Sequence, residues 1–511
     1  MLGEFRARAL FILDEAHHAA PSAGVRYAVS SQLTRAVREF ADRFEHRLFL
    51  SATPHNGHSN SFSALLEMLD PQRFTRGVIV RPKDLEPVMV RRLKSDLRRL
   101  GEDFPERIIE PIVIDGLPDN APELDLARRL AAYGDLRMLR IATLPTQKAA
   151  LAKLAFVGLQ QRLLSSIAAF ARTLKVHRKG LQRIIDGETP QQSAGAAQGF
   201  VAARAGDDIA ELDLEDAEAE AMDDAEEDSL ADAATVIGSV GAGKADLVAE
   251  LGAVDEMLAI AEHAATRPDA RVRHLVDWIK ANLFTEGVWN ERRLILFTEY
   301  EDTRRWLERR LREAFSHTDR EDERIGVFSG ATNSDRREAV KRAFNADPAV
   351  EPLRILICTD AAREGINLQT RCADLIHFDL PWNPARLEQR NGRIDRKLQP
   401  AKRIHCRYFR YEQREADIVL EALVRKTETI REELGSAGRV IEDRVTAKLA
   451  EAGIGKGQCA SWAMAPASGN CSFASRTPAS IRISGRAWTG GRRRRNSGSS
   501  ASCVKPACSS A

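Results

Sequence analysis

The chain has 511 residues, 43% hydrophobic and 29% charged, and its formal net charge of +2 confines any nucleic-acid surface to a local patch. This length predicts about two or three domains, each with its own core. No apolar run is long enough to span a bilayer, and the first one ends at Asp14 and Glu15 instead of at a small-residue cleavage site, so composition argues against a membrane or secreted protein and predicts a cytoplasmic one.

Short apolar runs alternate with helical patterns over residues 1–115. The runs "ALFIL" and "RLFLS" predict strands, whereas residues 31–44 and the run "SFSALLEML" predict helices. A further strand is predicted at "RIIEPIVID" (107–115), at the end of this first unit. Such alternation is typical of parallel βαβ structure.

Two segments of different character follow. Residues 116–200 are rich in Ala, Leu and Arg, and they predict a helical insertion, most clearly between Leu124 and Gly187. Residues 201–270 contain the acidic run "DDIAELDLEDAEAEAMDDAEEDSLAD" and predict a linker that is disordered in part. A second interpretation is that the acidic run mimics DNA and inhibits the protein.

Strand and helix patterns alternate again over residues 271–435. The apolar runs here are too continuous for burial on one face alone, which indicates a parallel sheet covered on both faces. Residues 436–455 predict a terminal helix. Residues 456–511 contain no Asp or Glu and predict a disordered basic tail, to which we assign no function.

Asp14 and Glu15 end the first predicted strand. A magnesium-bound triphosphate needs one carboxylate to hold the water shell of the metal and another to orient or deprotonate the attacking water. Adjacent acids at a strand end can serve both needs, because their side chains point in different directions. The pair alone is weak evidence, and Ala16 with His17 makes it more specific.

Ser51, Ala52 and Thr53 directly follow the second predicted strand. Small hydroxyl side chains at a strand end can pass the state of a nucleotide to a neighbouring domain through hydrogen bonds. The same residues could instead begin a capped helix.

The most specific region lies between residues 358 and 399. The run "CTDAAREGINLQ" places Thr359 at a strand end, and Gln389, Arg393 and Arg396 follow on a predicted helix. The two arginines are three positions apart and would share one helix face. Planar guanidinium groups presented from another domain can stabilise the charge that develops in phosphoryl transfer. A solvated basic helix is the alternative.

These motifs resemble the ATPase core of the Swi/Snf-type branch of superfamily 2 helicases, in particular the bacterial group that includes the RNA-polymerase-associated helicase. The Swi/Snf-like helicases of the DISARM phage-defence system are a further candidate affiliation. The matching segments are "DEAHH", "LSATPHNG", "VRRLKSDL", "ILFTEY", "FSG", "TDAAREGINLQ" and "LPWNPARLEQRNGRIDR". The resemblance implies an α/β fold with two RecA-like parallel-sheet lobes, the first incomplete, and a helical insertion between them.

The resemblance also implies ATP and Mg2+ as cofactors and double-stranded DNA as a partner. Asp14 and Glu15 would meet magnesium and the catalytic water, while His17 and residues 51–53 would couple hydrolysis to movement. Gly365 would lie at the nucleotide. The residues expected to approach the phosphates are Gln389, Arg393 and Arg396. Those expected near the DNA backbone or the cleft between the lobes are Thr359, Arg363 and Asn367.

The phosphate-binding loop Gly-x-x-x-x-Gly-Lys-Ser/Thr is not found ahead of Asp14. A near match, "GSVGAGKA", contains Lys244, but Ala245 replaces the hydroxyl that should meet magnesium, so we interpret it as a glycine-rich linker. We therefore expect an ATP-driven duplex-DNA translocase that lacks this loop and needs a missing N-terminal segment. The alternative is a non-hydrolysing DNA-binding or partner-completing half of a split motor, and a protein recruiter is a further expected partner.

Overall fold

The computed structural model describes residues 9–20, 32–51, 59–78, 80–90, 103–141, 146–187, 242–329, 334–360, 367–381, 384–418, 420–422 and 424–425, with positions 97, 101, 235 and 239. All of these lie in one compact unit, Met1–Ala465, whereas the second unit, Pro466–Ala511, lies outside the described residues. None of the described helices has the length and apolar character needed to cross a membrane.

A two-stranded parallel sheet forms in the N-terminal part of the chain, from β1 (Leu10–Leu13) and β2 (His46–Phe49). One face packs on a small core that includes Ala19, Val37 and Leu65. The helical elements around it are a 3-10 turn (Ala16–Ala19), α1 (Gln32–Ala41), α2 (Ser59–Leu69) and α3 (Pro82–Leu85). The predicted alternation of strands and helices is thus present here.

A larger sheet consists of six parallel strands: β3 (Glu106–Ile114), β6 (Leu294–Thr298), β7 (Ile325–Phe328), β8 (Ile355–Thr359), β9 (Asp374–His377) and β10 (Arg403–Tyr411). Their order in the sheet is β3-β10-β9-β6-β8-β7. A separate antiparallel hairpin joins β4 (Phe284–Thr285) to β5 (Val288–Trp289).

Both faces of the six-stranded sheet are covered. Every residue of β6, β8 and β9 is buried. Successive β6 residues enter different cores, since Leu294 and Leu296 belong to one apolar cluster while Ile295 and Phe297 belong to another. The predicted α/β class and the parallel sheet covered on both faces are confirmed.

The strand β3 requires a correction, because we assigned residues up to 115 to the first unit. It pairs instead with β10 in the six-stranded sheet. Ion pairs from Arg403 to Glu106 (3.0 Å) and from Arg407 to Glu110 (3.1 Å) join residues that lie opposite each other in this register. Pro111 lies within β3, and a proline without an amide donor is tolerated at a sheet edge. The first unit therefore ends before Glu106.

The predicted helical insertion is confirmed as a bundle, and its extent is larger than expected. Its helices are α4 (Pro122–Ile141), α5 (Thr146–Ser165), α6 (Ile167–Ile185) and α7 (Lys244–Ala265). Because α7 buries Leu247, Val254 and Met257 against α4 and α6, the end of the expected linker 201–270 is a packed helix instead. The acidic run itself lies outside the described residues.

"GSVGAGKA" also changes interpretation, because Gly243 is the N-cap of α7 and Lys244 its first residue. The remaining helices adjoin the six-stranded sheet: α8 (Ala270–Leu283), α9 (Glu301–Ala314), α10 (Glu321–Arg324), α11 (Ser334–Asn345) and α12 (Pro384–Asn391). The helix and tail expected at 436–455 and 456–511 lie outside the described residues.

Candidate nucleotide site

Asp14 and Glu15 lie exposed in the turn that follows β1. The Glu15 amide donates to Asp14 Oδ1 at 2.9 Å, and Glu15 has a left-handed backbone with φ of 46°. Such a conformation is uncommon for a residue with a side chain and tends to occur at functional sites. Exposed carboxylate oxygens are ligands that suit Mg2+ and its water shell, so the pair fits the expected metal role.

The second strand brings Ser51 towards this turn. The Leu50 amide donates to the Leu13 carbonyl (2.8 Å), and the Leu50 carbonyl accepts from the Ala16 amide (2.9 Å). Ser51, half-buried, follows directly. Of the other coupling residues, His17 lies in the 3-10 turn with its side chain outside the described part, and Ala52 and Thr53 lie outside the described residues.

The arginine segment differs from the prediction that both arginines share a helix face. Helix α12 ends at Asn391, and Arg393 and Arg396 lie in the tight turns that follow. A Cβ atom at Gly392 would lie 3.2 Å from the Glu388 carbonyl oxygen, so the glycine permits this close approach at the helix end. Arg393 is buried and Arg396 is half-buried, whereas Gln389 is exposed on the helix.

The Arg396 side chain donates hydrogen bonds to two residues that lie earlier in the chain. Its Nε donates to the Gly392 carbonyl at 2.9 Å, and its Nη1 donates to Asn367 Oδ1. Burial lowers the pKa of Arg396. The Leu368 amide donates to the Arg393 carbonyl (3.4 Å). This bond joins the chain after β8 to residues 392–396, which we call the arginine turn.

Thr359 is buried at the end of β8, opposite Thr298 of β6. The expected DNA-facing and nucleotide-facing residues Arg363 and Gly365 lie outside the described residues. The structure therefore places Thr359 at the carboxyl end of β8 and brings Asn367 into contact with Arg396.

A buried charge cluster at the carboxyl ends of β6, β8 and β9 was not predicted. Arg390 is 1% exposed; its Nε donates to Asp360 Oδ1 at 2.5 Å and its Nη1 to the Asp379 carbonyl at 2.8 Å. Thr298 donates to Asp379 Oδ2 at 2.6 Å. Asp360 directly follows β8 and Asp379 lies two positions after the end of β9, and acids placed after buried strands could have revealed the cluster from the sequence.

Glu299 completes the cluster. Its amide donates to Asp379 Oδ1 (2.8 Å), and its carboxylate accepts from Arg386 (3.1 Å). Burial, together with the negative charges of Asp360 and Asp379, raises the pKa of Glu299 to about 7 despite Arg386 and Arg390. A carboxyl group whose pKa is raised to about 7 thus lies at the carboxyl end of β6, beside Arg386 and Arg390.

The acid pair and the arginine segment lie on separate sheets, since β1 and β2 share no strand with the six-stranded sheet. The fold of each sheet therefore positions its own half of the candidate site.

Part of the chain is similar to known proteins. Residues 278–397 match the family described as "Helicase conserved C-terminal domain". The uncharacterized ATP-dependent helicase YqhH of Bacillus subtilis is 37% identical over 108 residues, which are 20% of this chain and 16% of that protein. The RNA polymerase-associated protein RapA of Yersinia enterocolitica is 34% identical over 128 residues, 25% of this chain and 12% of that protein. The chain thus matches only a small part of either relative.

A solved structure, the C-terminal part of the Fun30 ATPase domain, aligns with a TM-score of 0.34 at 14% identity over 68% of this chain and 99% of that one. A similarity this weak does not bear on the fold, which rests on the sheet topology. Residues 278–397 are therefore similar to a helicase conserved C-terminal domain, and the two relatives described above match short segments of this chain.

Proposed function

We propose that the chain is part of a cytoplasmic, ATP-dependent translocase of the Swi/Snf type that moves along double-stranded DNA. The observation that carries the proposal is the tight turn after α12, which holds Arg393 and Arg396 within the region that matches a helicase C-terminal domain. Motors of this kind work by closing two lobes around a nucleotide, so one lobe has to present cations to phosphates that the other lobe binds.

Within this proposal, the two halves have distinct roles. Asp14 and Glu15 would hold the water shell of Mg2+ and orient the attacking water. Arg393 and Arg396 would stabilise the charge that develops on the phosphate, with Gln389 beside them. Magnesium, when bound, would neutralise phosphate charge.

DNA would be contacted through its backbone, near Thr359, Arg363 and Asn367. Contacts of this kind are largely independent of sequence, and the logarithm of the binding constant falls linearly with the logarithm of salt concentration. Binding of the full chain to a duplex of arbitrary sequence at several salt concentrations would measure this slope.

The decisive experiment is ATP hydrolysis by the full chain with and without duplex DNA. We expect DNA-stimulated turnover, and Arg393→Ala should lower kcat on the order of 10³-fold. Gln389→Ala, at an exposed position, should also lower turnover without disturbing the fold. Arg403→Ala is the control, since Arg403 is 67% exposed and pairs with Glu106 away from the arginine turn. Turnover that both site variants leave intact would refute the assignment.

One observation favours the second candidate, a half of a split motor that a partner completes. One face of the β1–β2 sheet leaves apolar side chains open, with Leu10 50%, Ile12 54% and Leu48 43% exposed. Parallel sheets are normally covered on both faces. Under this proposal, a polypeptide with a Gly-Lys-Thr loop would cover this face.

Addition of such a first-lobe polypeptide to the chain separates the two candidates. Hydrolysis that begins only in the mixture, and is lost with Ile12→Asp, would support the split motor. Full turnover by the chain alone would exclude it.

A further inference from the structure

Arg107 connects the edge strand β3 to the segment that carries the arginines. Its side chain is fully buried and forms a two-pronged ion pair with Glu388, with Nη1 to Oε2 at 2.6 Å and Nη2 to Oε1 at 2.9 Å. Its Nε also donates to Asp395 Oδ2 at 2.9 Å. One guanidinium group therefore holds two carboxylates that are seven positions apart.

The placement of those carboxylates links Arg107 to the candidate site. Glu388 directly precedes Gln389 on α12, and Asp395 lies between Arg393 and Arg396. Arg107 thus contacts Glu388 on the helix that precedes the arginine turn and Asp395 within the turn. Paired hydrogen bonds from arginine to carboxylates are directional, so they fix the path of the turn in addition to neutralising charge.

The pairing of β3 does not depend on this contact. The strand is held by backbone bonds along its whole length to β10. Arg107 is the residue of β3 that reaches across to both sides of the turn, whereas Arg403 and Arg407 pair along the sheet. Its buried charge is costly unless it is fully paired, and the two carboxylates meet that requirement.

We propose that Arg107 is a positioning residue, which sets the conformation of the turn after α12 and thereby the orientation of Arg393 and Arg396 towards a nucleotide phosphate. The catalytic part of this inference rests on the proposed function. The conformational part does not rest on it, because it concerns only how rigidly residues 384–396 are held.

The test uses the full chain with Arg107→Met, Arg107→Lys and, as matched control, Arg403→Met. Amide hydrogen exchange in residues 384–396 should be faster in Arg107→Met, with β6 (Leu294–Thr298) unchanged. Arg107→Lys should keep the charge and the melting temperature, but a lysine cannot reproduce the planar fork, so exchange in the turn should still rise. Arg403→Met should match the wild type in every measurement.

Where the wild type hydrolyses ATP, both Arg107 variants should lower kcat, by about 100-fold in Arg107→Met, with a change in KM of less than about threefold. A purely structural role would instead make kcat follow the melting temperature, and Arg107→Lys would restore both. Exchange in residues 384–396 that stays at the wild-type rate in Arg107→Met would overturn the proposal. A wild type without hydrolysis would count against the proposed function, and the exchange data would still decide the role of Arg107.

Discussion

Glu299 shows how a single residue at the carboxyl end of a strand can make stability depend on pH. The groups around it are two acids and two arginines: Asp360, Asp379, Arg386 and Arg390. Its pKa rises from 4.5 to about 7, so the folded chain keeps a proton that the unfolded chain has lost. Between these two pH values, the free energy of unfolding therefore falls as pH rises.

We predict that Glu299→Gln removes this slope. The neutral amide should raise the free energy of unfolding on the order of 1–3 kcal/mol at about pH 8 and change it little at about pH 5. Urea unfolding across this pH range would measure the difference. Glu313→Gln is a suitable control, because that side chain is 53% exposed. The same slope in Glu299→Gln and wild type would contradict the prediction.

At the scale of elements, two glycines in the helical bundle differ in the space available for a side chain. Gly134 of α4 is buried, and a Cβ atom there would overlap the ring of Phe156 on α5. Gly158, also on α5, has open space where a Cβ atom would be. Glycine inside a helix is otherwise unfavourable relative to alanine. The close packing of α4 on α5 therefore depends on Gly134.

We predict opposite signs for the two alanine substitutions. Gly134→Ala should lower the free energy of unfolding by about 1–3 kcal/mol, because the Phe156 ring has to move within a packed core. Gly158→Ala should raise it by about 0.5–1 kcal/mol through helix propensity alone. Thermal unfolding followed by circular dichroism would compare them. A stabilising Gly134→Ala would show that α4 and α5 do not pack as described.

At the scale of the whole molecule, segments before and after the acidic run pack together in the six-stranded sheet and in the helical bundle. The strand β3 comes from the N-terminal side and pairs with β10 from the C-terminal side. In the bundle, α7 follows the acidic run and packs on α4 and α6, which precede it. The two sides are therefore joined by a sheet and by an apolar core.

We predict that cleavage within residues 201–230 leaves the two fragments associated. A specific protease site inserted there should give two chains that elute together in size-exclusion chromatography and separate in urea. The reason is that both the β3–β10 pairing and the bundle core would have to be broken to release them. Separation of the fragments without denaturant would refute this arrangement.

Local features were predictable where they depended on near neighbours in the chain. The strands β6, β8 and β9 were predictable because continuous apolar runs of this length fit a sheet buried on both faces. The helical run before Gly187 was predicted for a similar reason. The placement of Arg393 and Arg396 on a helix was wrong, because the helix ends at Asn391 and Gly392 permits a tight turn after it.

The sequence by itself determined where strands and helices alternate along the chain, the place of the acid pair after a strand, and the α/β class. Only the tertiary structure decided that β3 belongs to the six-stranded sheet, that Arg107 reaches Glu388 and Asp395, and that Glu299 titrates near neutral pH. Helix and strand patterns arise from neighbours a few positions apart. The contact of Arg107 with Asp395 joins residues 288 positions apart, and desolvation of Glu299 requires the assembled sheet edge.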